Sequence, residues 1–317
     1  MSTVKGVVVS PDAPARLKLA DVAAPSPARS EALIRVAAIS LNRGEVRRAQ
    51  SAEAGTRPGW DLAGTVEQAA ADGSGPPAGT RVVGFLPSGA WAEIVAVPTN
   101  SLATLPEEVT FTDAATLPVA GLTALYTLEK GGSLLQRNVL ISGASGGVGY
   151  FAVQLARDAG ANVVGLLRSQ ERAHMIQDMG ITIAVGEDAS AAAAHGPYNL
   201  VVDGVGGSTL ASALTLLAPD GLTVVYGATG GATPTIDLAR FYSGGGFQLY
   251  GFILFHELRR MPTGPEAGLA RLVALLAQGK LRTYIGVEAS WTEVGNVAQR
   301  LTDRDYAGKA VLHVGGA

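Results

Sequence analysis

The chain has 317 residues, 47% of them hydrophobic and 16% charged, and its 24 Lys and Arg against 27 Asp and Glu leave a net charge of −3. This length is enough for about two domains with sizeable cores, while the weak charge excludes both extended disorder and the strongly basic face of a nucleic-acid protein. Cysteine is absent, which excludes disulfides, thiol nucleophiles, iron–sulfur clusters and Cys-ligated zinc.

In chain order, alternating apolar and polar residues predict strands over Lys5–Val9, Glu31–Ile39, Gly64–Gln68, Arg81–Phe85 and Trp91–Val97. Short strands at this spacing imply a small barrel or sandwich. The Gly- and Pro-rich stretch Ala70–Gly79 lies between strand-like runs and predicts a hairpin loop, not a domain linker. Thr112–Leu128 has helical spacing but contains Pro118, which predicts a broken helix. From Asn138 the pattern alternates: strand Val139–Ser142, helix Gly147–Ala159, strand Val163–Leu167, helix Gln170–Met179, strand Leu200–Asp203, helix Thr209–Leu217, then strands Leu222–Tyr226 and Gln248–Leu254. Such alternation builds a parallel sheet covered by helices on both faces. Helix Glu266–Gln278 and strand Ala310–Val314 follow. The N-terminal apolar run is too short for an export leader, and no stretch forms a ~20-residue apolar span. The expectation is a cytoplasmic protein with no membrane or nucleic-acid partner.

The segment Gly143-Ala-Ser-Gly-Gly-Val-Gly149 follows an apolar strand and opens an amphipathic helix. In that setting small residues let a diphosphate approach the backbone N–H groups at the positive end of the helix. Ser145, Gly146, Gly147 and Val148 are the expected diphosphate-binding residues. An acidic residue about 20 positions on normally reads the adenosine ribose of NAD. Here that place holds Arg168 and Ser169, with Arg172 nearby. Two guanidiniums and a hydroxyl suit a 2′-phosphate, so the expected cofactor is NADPH. Ligands of such sheets lie beyond the carboxyl ends of the strands, which adds Val205, within Asp203–Gly207, and Gly227 and Ala228, within Gly227–Gly231. His174, His195, His256 and His313 show no metal-ligand spacing, and no metal is expected. The His256-Glu257 pair reads as part of a surface charge cluster.

Taken together, the motifs resemble the zinc-independent medium-chain dehydrogenase/reductases, in the quinone oxidoreductase branch that includes zeta-crystallin. The likeness runs through Leu41-Asn42-x-x-Glu45, Pro58-Gly-Trp-Asp-Leu-Ala-Gly-Thr-Val66, Gly79–Gly84, Gly89–Glu93, Ala114–Ala124, the Gly143–Gly149 turn and Gly308-Lys309. The resemblance implies an α/β protein with a GroES-like β-barrel domain (1–118 and 257–317) and a Rossmann doubly wound parallel-sheet domain (119–256), with the active site between them. It also implies a homodimer through the edge strand near Gln248–Leu254, and hydride transfer from NADPH to a small-molecule quinone or α,β-unsaturated carbonyl. Zinc-dependent relatives place Cys where Asn42 stands and His-Glu where Trp60-Asp61 stands, so the likeness implies no catalytic zinc.

By the same resemblance, Asn42 is a candidate for both the nicotinamide and the substrate oxygen. Thr123 faces the nicotinamide side, and Phe252 and Ile253 present backbone to the carboxamide. Tyr242 and Tyr250 are candidate proton donors. Other readings stay open: Asn42 as a helix cap, Tyr250 as a packed strand residue, and Tyr242 as an exposed loop residue. A redox-neutral isomerase or cyclase that retains NADPH, and a non-catalytic NADPH-binding structural or regulatory protein, also fit the motifs.

Overall fold

The computed structural model describes residues 2–261 and 264–315. The chain runs through β1 (Thr3–Val9), β2 (Leu17–Ala23), β3 (Glu31–Leu41), α1 (Arg43–Ser51), β4 (Asp61–Gln68), β5 (Arg81–Phe85), β6 (Ile94–Pro98), β7 (Leu102–Thr104) and α2 (Phe111–Ala115). A π-helical turn over Leu117–Gly121 contains Pro118 and leads into α3 (Leu122–Glu129). There follow β8 (Asn138–Ser142), α4 (Gly147–Asp158), β9 (Asn162–Leu167), β10 (Thr182–Val185), β11 (Tyr198–Asp203), α5 (Gly207–Leu214), β12 (Leu217–Val225), α6 (Leu238–Ser243) and β13 (Gln248–Gly251). The chain closes with α7 (Leu254–Arg260), α8 (Glu266–Ala277), β14 (Ile285–Ser290), α9 (Val294–Thr302) and β15 (Lys309–His313). It divides into two compact units, Met1–Leu122 with Leu258–Ala317, and Thr123–Glu257.

The first unit holds a seven-stranded sheet of order β14-β15-β3-β4-β5-β7, with β6 also on β3, and a separate β1-β2 hairpin. The long strand β3 organises the sheet. One edge pairs with β4, while the other is shared by β6 along Glu31–Arg35 and β15 along Ala38–Leu41. The β3–β4 register shifts between Val36 and Ala38, and Gly64 lies opposite. A Cβ on Gly64 would stand 2.1 Å from the Arg35 carbonyl oxygen. A bulge facing a glycine bends a sheet, and here it curls the strands around a core that includes Ile34, Leu62, Trp91, Leu102, Trp291 and Leu312. The Ala70–Gly79 stretch joins β4 to its antiparallel neighbour β5, as a hairpin loop should.

The second unit is one all-parallel sheet, β10-β9-β8-β11-β12-β13. The chain order reverses between β8 and β11, the switch point of a doubly wound sheet. Leu140, Val164, Tyr198, Val201, Leu210 and Leu214 pack its core. No helix among the described residues is long and apolar enough to cross a membrane.

Several elements differ from the sequence expectation. The helix expected over Gln170–Met179 is a pair of 3₁₀ turns, Gln170–Met175 and Gln177–Met179. Its apolar residues Ala173, Ile176 and Met179 recur every third position and are all buried, which is the period of that tighter helix. The helix expected over Thr209–Leu217 stops at Leu214, and Leu217 already begins β12. Within β12, Pro219-Asp220-Gly221 resembles a turn, and Asp220 has φ +59°, so the strand's first half reads as loop. The strand expected to run to Leu254 ends at Gly251, where α7 soon takes over. The helix α1 was not expected, because Arg43–Ser51 buries only Glu45, Val46 and Ala49. Nor were β2, β7, β10, β14 and α9, most of them short or half-exposed.

Candidate functional site

At the end of β8, Gly143 adopts φ +62°, and Gly146 N–H donates to its carbonyl at 2.8 Å, closing the turn into α4. Gly149 is demanded by contact: an added Cβ would stand 2.3 Å from the Gly143 oxygen and 2.8 Å from the Ala144 Cα. Strand and helix therefore meet backbone to backbone. The first N–H groups of a helix, here those of Gly147 and Val148, have no acceptor within it and carry its positive end. Ser145 lies in the same turn, 6% exposed. The turn sits at the switch point of the sheet.

A buried carboxyl braces this turn from β11. Ser142 Oγ donates to Asp203 Oδ1, and Asp203 also accepts from Val205 N–H at 3.1 Å and Gly206 N–H at 2.9 Å. Burial raises the Asp203 pKa, against these hydrogen bonds, which lower it. The loops after β11 and β12 are tied together by Gly230 N–H to the Val205 carbonyl at 2.6 Å and Thr229 Oγ1 to the Gly204 carbonyl at 3.1 Å. Val205, Gly227 and Ala228 thus lie along the same carboxyl edge as the glycine turn.

Arg168 directly follows β9 on that edge. It is exposed and has no partner among the described residues. Ser169 Oγ accepts from Glu171 N–H at 3.3 Å, capping the 3₁₀ turn that carries half-buried Arg172. On the other flank, Phe252 is 3% exposed and donates its N–H to the Val225 carbonyl at 2.8 Å. Ile253 is 63% exposed, and Tyr242, on α6, 74%. Tyr250 donates its hydroxyl to Glu257 Oε1 at 2.5 Å, while Lys130 Nζ lies 2.7 Å from Glu257 Oε2. Glu257 is therefore a buried partner of two side chains, not part of a surface charge cluster. The bond to Glu257 raises the Lys130 pKa. Thr123 is buried in the first turn of α3.

In the first unit, Asn42 caps α1 and belongs to a buried polar cluster. Its Nδ2 donates to Asp61 Oδ2 at 2.7 Å and to Glu45 Oε1 at 3.0 Å, and its Oδ1 accepts from Lys309 Nζ at 2.6 Å. Two carboxyls on the nitrogen and an ammonium on the oxygen settle which way the amide faces. Lys309 also donates to the Leu41 carbonyl at 3.0 Å and pairs with Asp61 at 3.3 Å. Asp61 further accepts from Ser40 Oγ at 2.6 Å and Val119 N–H at 3.0 Å. Glu45 is 2% exposed; burial, followed by the nearby Asp61 charge, raises its pKa well above the ordinary range. Burial and the Asp61 charge thus both favour the neutral form of Glu45. Both Asn42 Nδ2 hydrogens are committed within the cluster, and its Oδ1 accepts from Lys309 and, in the capping box of α1, from the Glu45 N–H.

This arrangement does not fit zinc. Asn42 and Asp61, which stand where zinc-dependent relatives place ligands, are occupied by the Lys309 ammonium, and no group of three or more His, Cys, Asp or Glu suited to a metal exists among the described residues.

Comparison with known proteins agrees with this architecture. The alcohol dehydrogenase GroES-like domain family matches residues 28–107, and the zinc-binding dehydrogenase family matches residues 147–265. The human synaptic vesicle membrane protein VAT-1 homolog is 28% identical over 94% of this chain and 82% of its own length. A spinach chloroplastic quinone-oxidoreductase homolog is 38% identical over 44% of this chain and 48% of its own. A tomato 2-methylene-furan-3-one reductase is 31% identical over 53% of this chain and 48% of its own. Among solved structures, a mycobacterial protein complexed with NADPH superimposes with TM-score 0.86 at 28% identity, covering 98% of this chain and 100% of that one. A mycobacterial quinone oxidoreductase gives 0.84 at 27%, covering 99% and 100%. A GroES-like domain followed by a doubly wound dehydrogenase domain, on a backbone shared with quinone oxidoreductases, makes this chain a member of the medium-chain dehydrogenase/reductase family.

Proposed function

We propose that the protein is an NADPH-dependent, zinc-independent oxidoreductase acting on a quinone or an α,β-unsaturated carbonyl. The observation that carries the reading is the pairing of the Gly143–Gly149 turn, stripped of side-chain bulk at the switch point, with an unpartnered Arg168 at the end of β9. The N–H groups of Gly147 and Val148 hold the diphosphate, and Arg168, with Ser169 and Arg172, takes the 2′-phosphate. The names of the spinach and tomato relatives support the acceptor classes.

When bound, NADPH supplies the hydride; the chain's part is to position the reactants, to stabilise developing charge on the acceptor oxygen and to deliver a proton. In this scheme Asn42 orders the buried cluster and does not donate to the acceptor oxygen, because its N–H groups are spent inside the cluster. It therefore does not stabilise an oxyanion. The Tyr250 proton is directed at Glu257, whereas Tyr242 keeps an exposed phenol and is the better-placed of the two as a donor. The proposal includes a cytoplasmic location, which cell fractionation checks. It also includes a homodimer through β13, an edge strand that carries exposed Leu249 and is followed by exposed Ile253, which light scattering on the purified protein checks.

The functional test follows oxidation of NADPH and NADH against quinone and enone panels, with product identification. Turnover with NADPH and not NADH, on one panel, is expected. Equal use of NADH removes the assignment of Arg168.

A further inference from the structure

At the carboxyl edge of the parallel sheet, the loops after β11 and β12 leave the Tyr226 hydroxyl without a partner among the described residues. Tyr226 follows β12, and its N–H donates to the Asp203 carbonyl at 2.9 Å. Its ring crosses sideways over Gly204, at the end of β11. A Cβ on Gly204 would stand 2.4 Å from both the Tyr226 Cζ and its hydroxyl oxygen. Gly204 is therefore a glycine because the phenol lies on it. The Tyr226 hydroxyl makes no hydrogen bond among the described residues. Two tyrosines on strands of this sheet behave differently: Tyr198 donates to the Ala192 carbonyl at 2.7 Å, and Tyr250 to Glu257.

The sheet also defines which part of a dinucleotide reaches this phenol. With the diphosphate at the α4 N-terminus after β8 and the adenosine side toward Arg168 on β9, the other half must extend over β11 and β12, on the opposite side of the switch point. That is where the Tyr226 hydroxyl lies. We propose that Tyr226 is a cofactor-positioning residue that donates its hydroxyl hydrogen bond to an oxygen of the nicotinamide–ribose half of the bound dinucleotide. Burial, reinforced by the Asp203 charge, pushes its pKa up, so the phenol stays protonated and remains a donor throughout the working pH range. The inference rests on the reading of the site as a dinucleotide site.

The test compares wild type with Tyr226→Phe by titration with two probes, NADPH and 2′,5′-ADP, which lacks the nicotinamide half. Because the hydroxyl has no partner among the described residues, the variant is expected to melt within about a degree of wild type. NADPH affinity is expected to fall about three- to tenfold, the range for one hydrogen bond, with 2′,5′-ADP affinity unchanged. Unchanged NADPH affinity overturns the inference, as does an equal loss for both probes or a clear loss of thermal stability. Wild-type protein that binds neither probe removes the dinucleotide reading itself, and the inference with it. Wild type that binds both, with a variant indistinguishable from it, removes the inference alone.

Discussion

Replacing Gly149 by Ala tests whether the glycine turn is a tight backbone junction. The new methyl would stand 2.3 Å from the Gly143 oxygen, 2.8 Å from the Ala144 Cα and 2.9 Å from the Gly143 carbonyl carbon. All three obstacles are backbone, so no side chain can swing aside. Relief requires α4 to lift by about 1 Å or the turn to open, and overpacking of this kind costs about 1–3 kcal/mol, occasionally more. Alanine's better helix propensity offsets at most about 1 kcal/mol. The expected net loss is about 1–2 kcal/mol, roughly 3–10 °C in the melting of a domain this size. Opening the turn also spreads the N–H groups that face the diphosphate, so NADPH affinity should fall by at least tenfold. Gly180→Ala is the control: Gly180 has φ +65° but nothing within 4 Å of its added Cβ. It should cost only the left-handed backbone penalty of about 1–2 kcal/mol and leave NADPH binding alone. Calorimetry and an NADPH titration read both effects. The reasoning fails if Gly149→Ala binds NADPH within twofold of wild type and melts no lower than wild type.

Arg168→Ala should weaken NADPH binding by roughly 10- to 100-fold and leave NADH unaffected, since a hydrogen bond to a charged group is worth about 1.5–3 kcal/mol; paired titrations decide it. Lys309→Met strands the Asp61 carboxylate in the interior and should cost about 3–5 kcal/mol in urea unfolding. Adding Asp61→Asn should recover a large part of that loss, and no recovery would show that the pair is not coupled. Glu45 has a raised folded pKa, so its contribution to stability is fully present below the ordinary glutamate value of about 4.3 and is lost as pH rises through the folded value. Subtracting the Glu45→Gln stability curve from wild type should expose that decline above about pH 4.3; a flat difference up to pH 8 contradicts it.

Features whose physics is local are legible in the amino-acid pattern alone. Alternation of strand and helix from Asn138 onward marks a parallel sheet because apolar periodicity changes within a few residues, and the Gly143–Gly149 turn is legible because its strand, glycines and helix are contiguous. The place of Arg168, directly after β9, was readable because it lies at a standard distance along the same β–α–β unit. Tertiary structure decided the rest. Lys309 meets Asn42 across 267 positions, and Lys130 meets Glu257 across 127. Burial then turned an apparent surface charge into a buried partner and fixed the orientation of the Asn42 amide. Tyr226 and Gly204 are separated in sequence by α5 and β12, and each reads alone as an ordinary strand-end residue. Their contact exists because parallel strands β11 and β12 bring both to one edge. Charges and hydroxyls carry no periodic signal of their own; their roles follow from which partners the fold brings within hydrogen-bond reach and from how much water it removes around them.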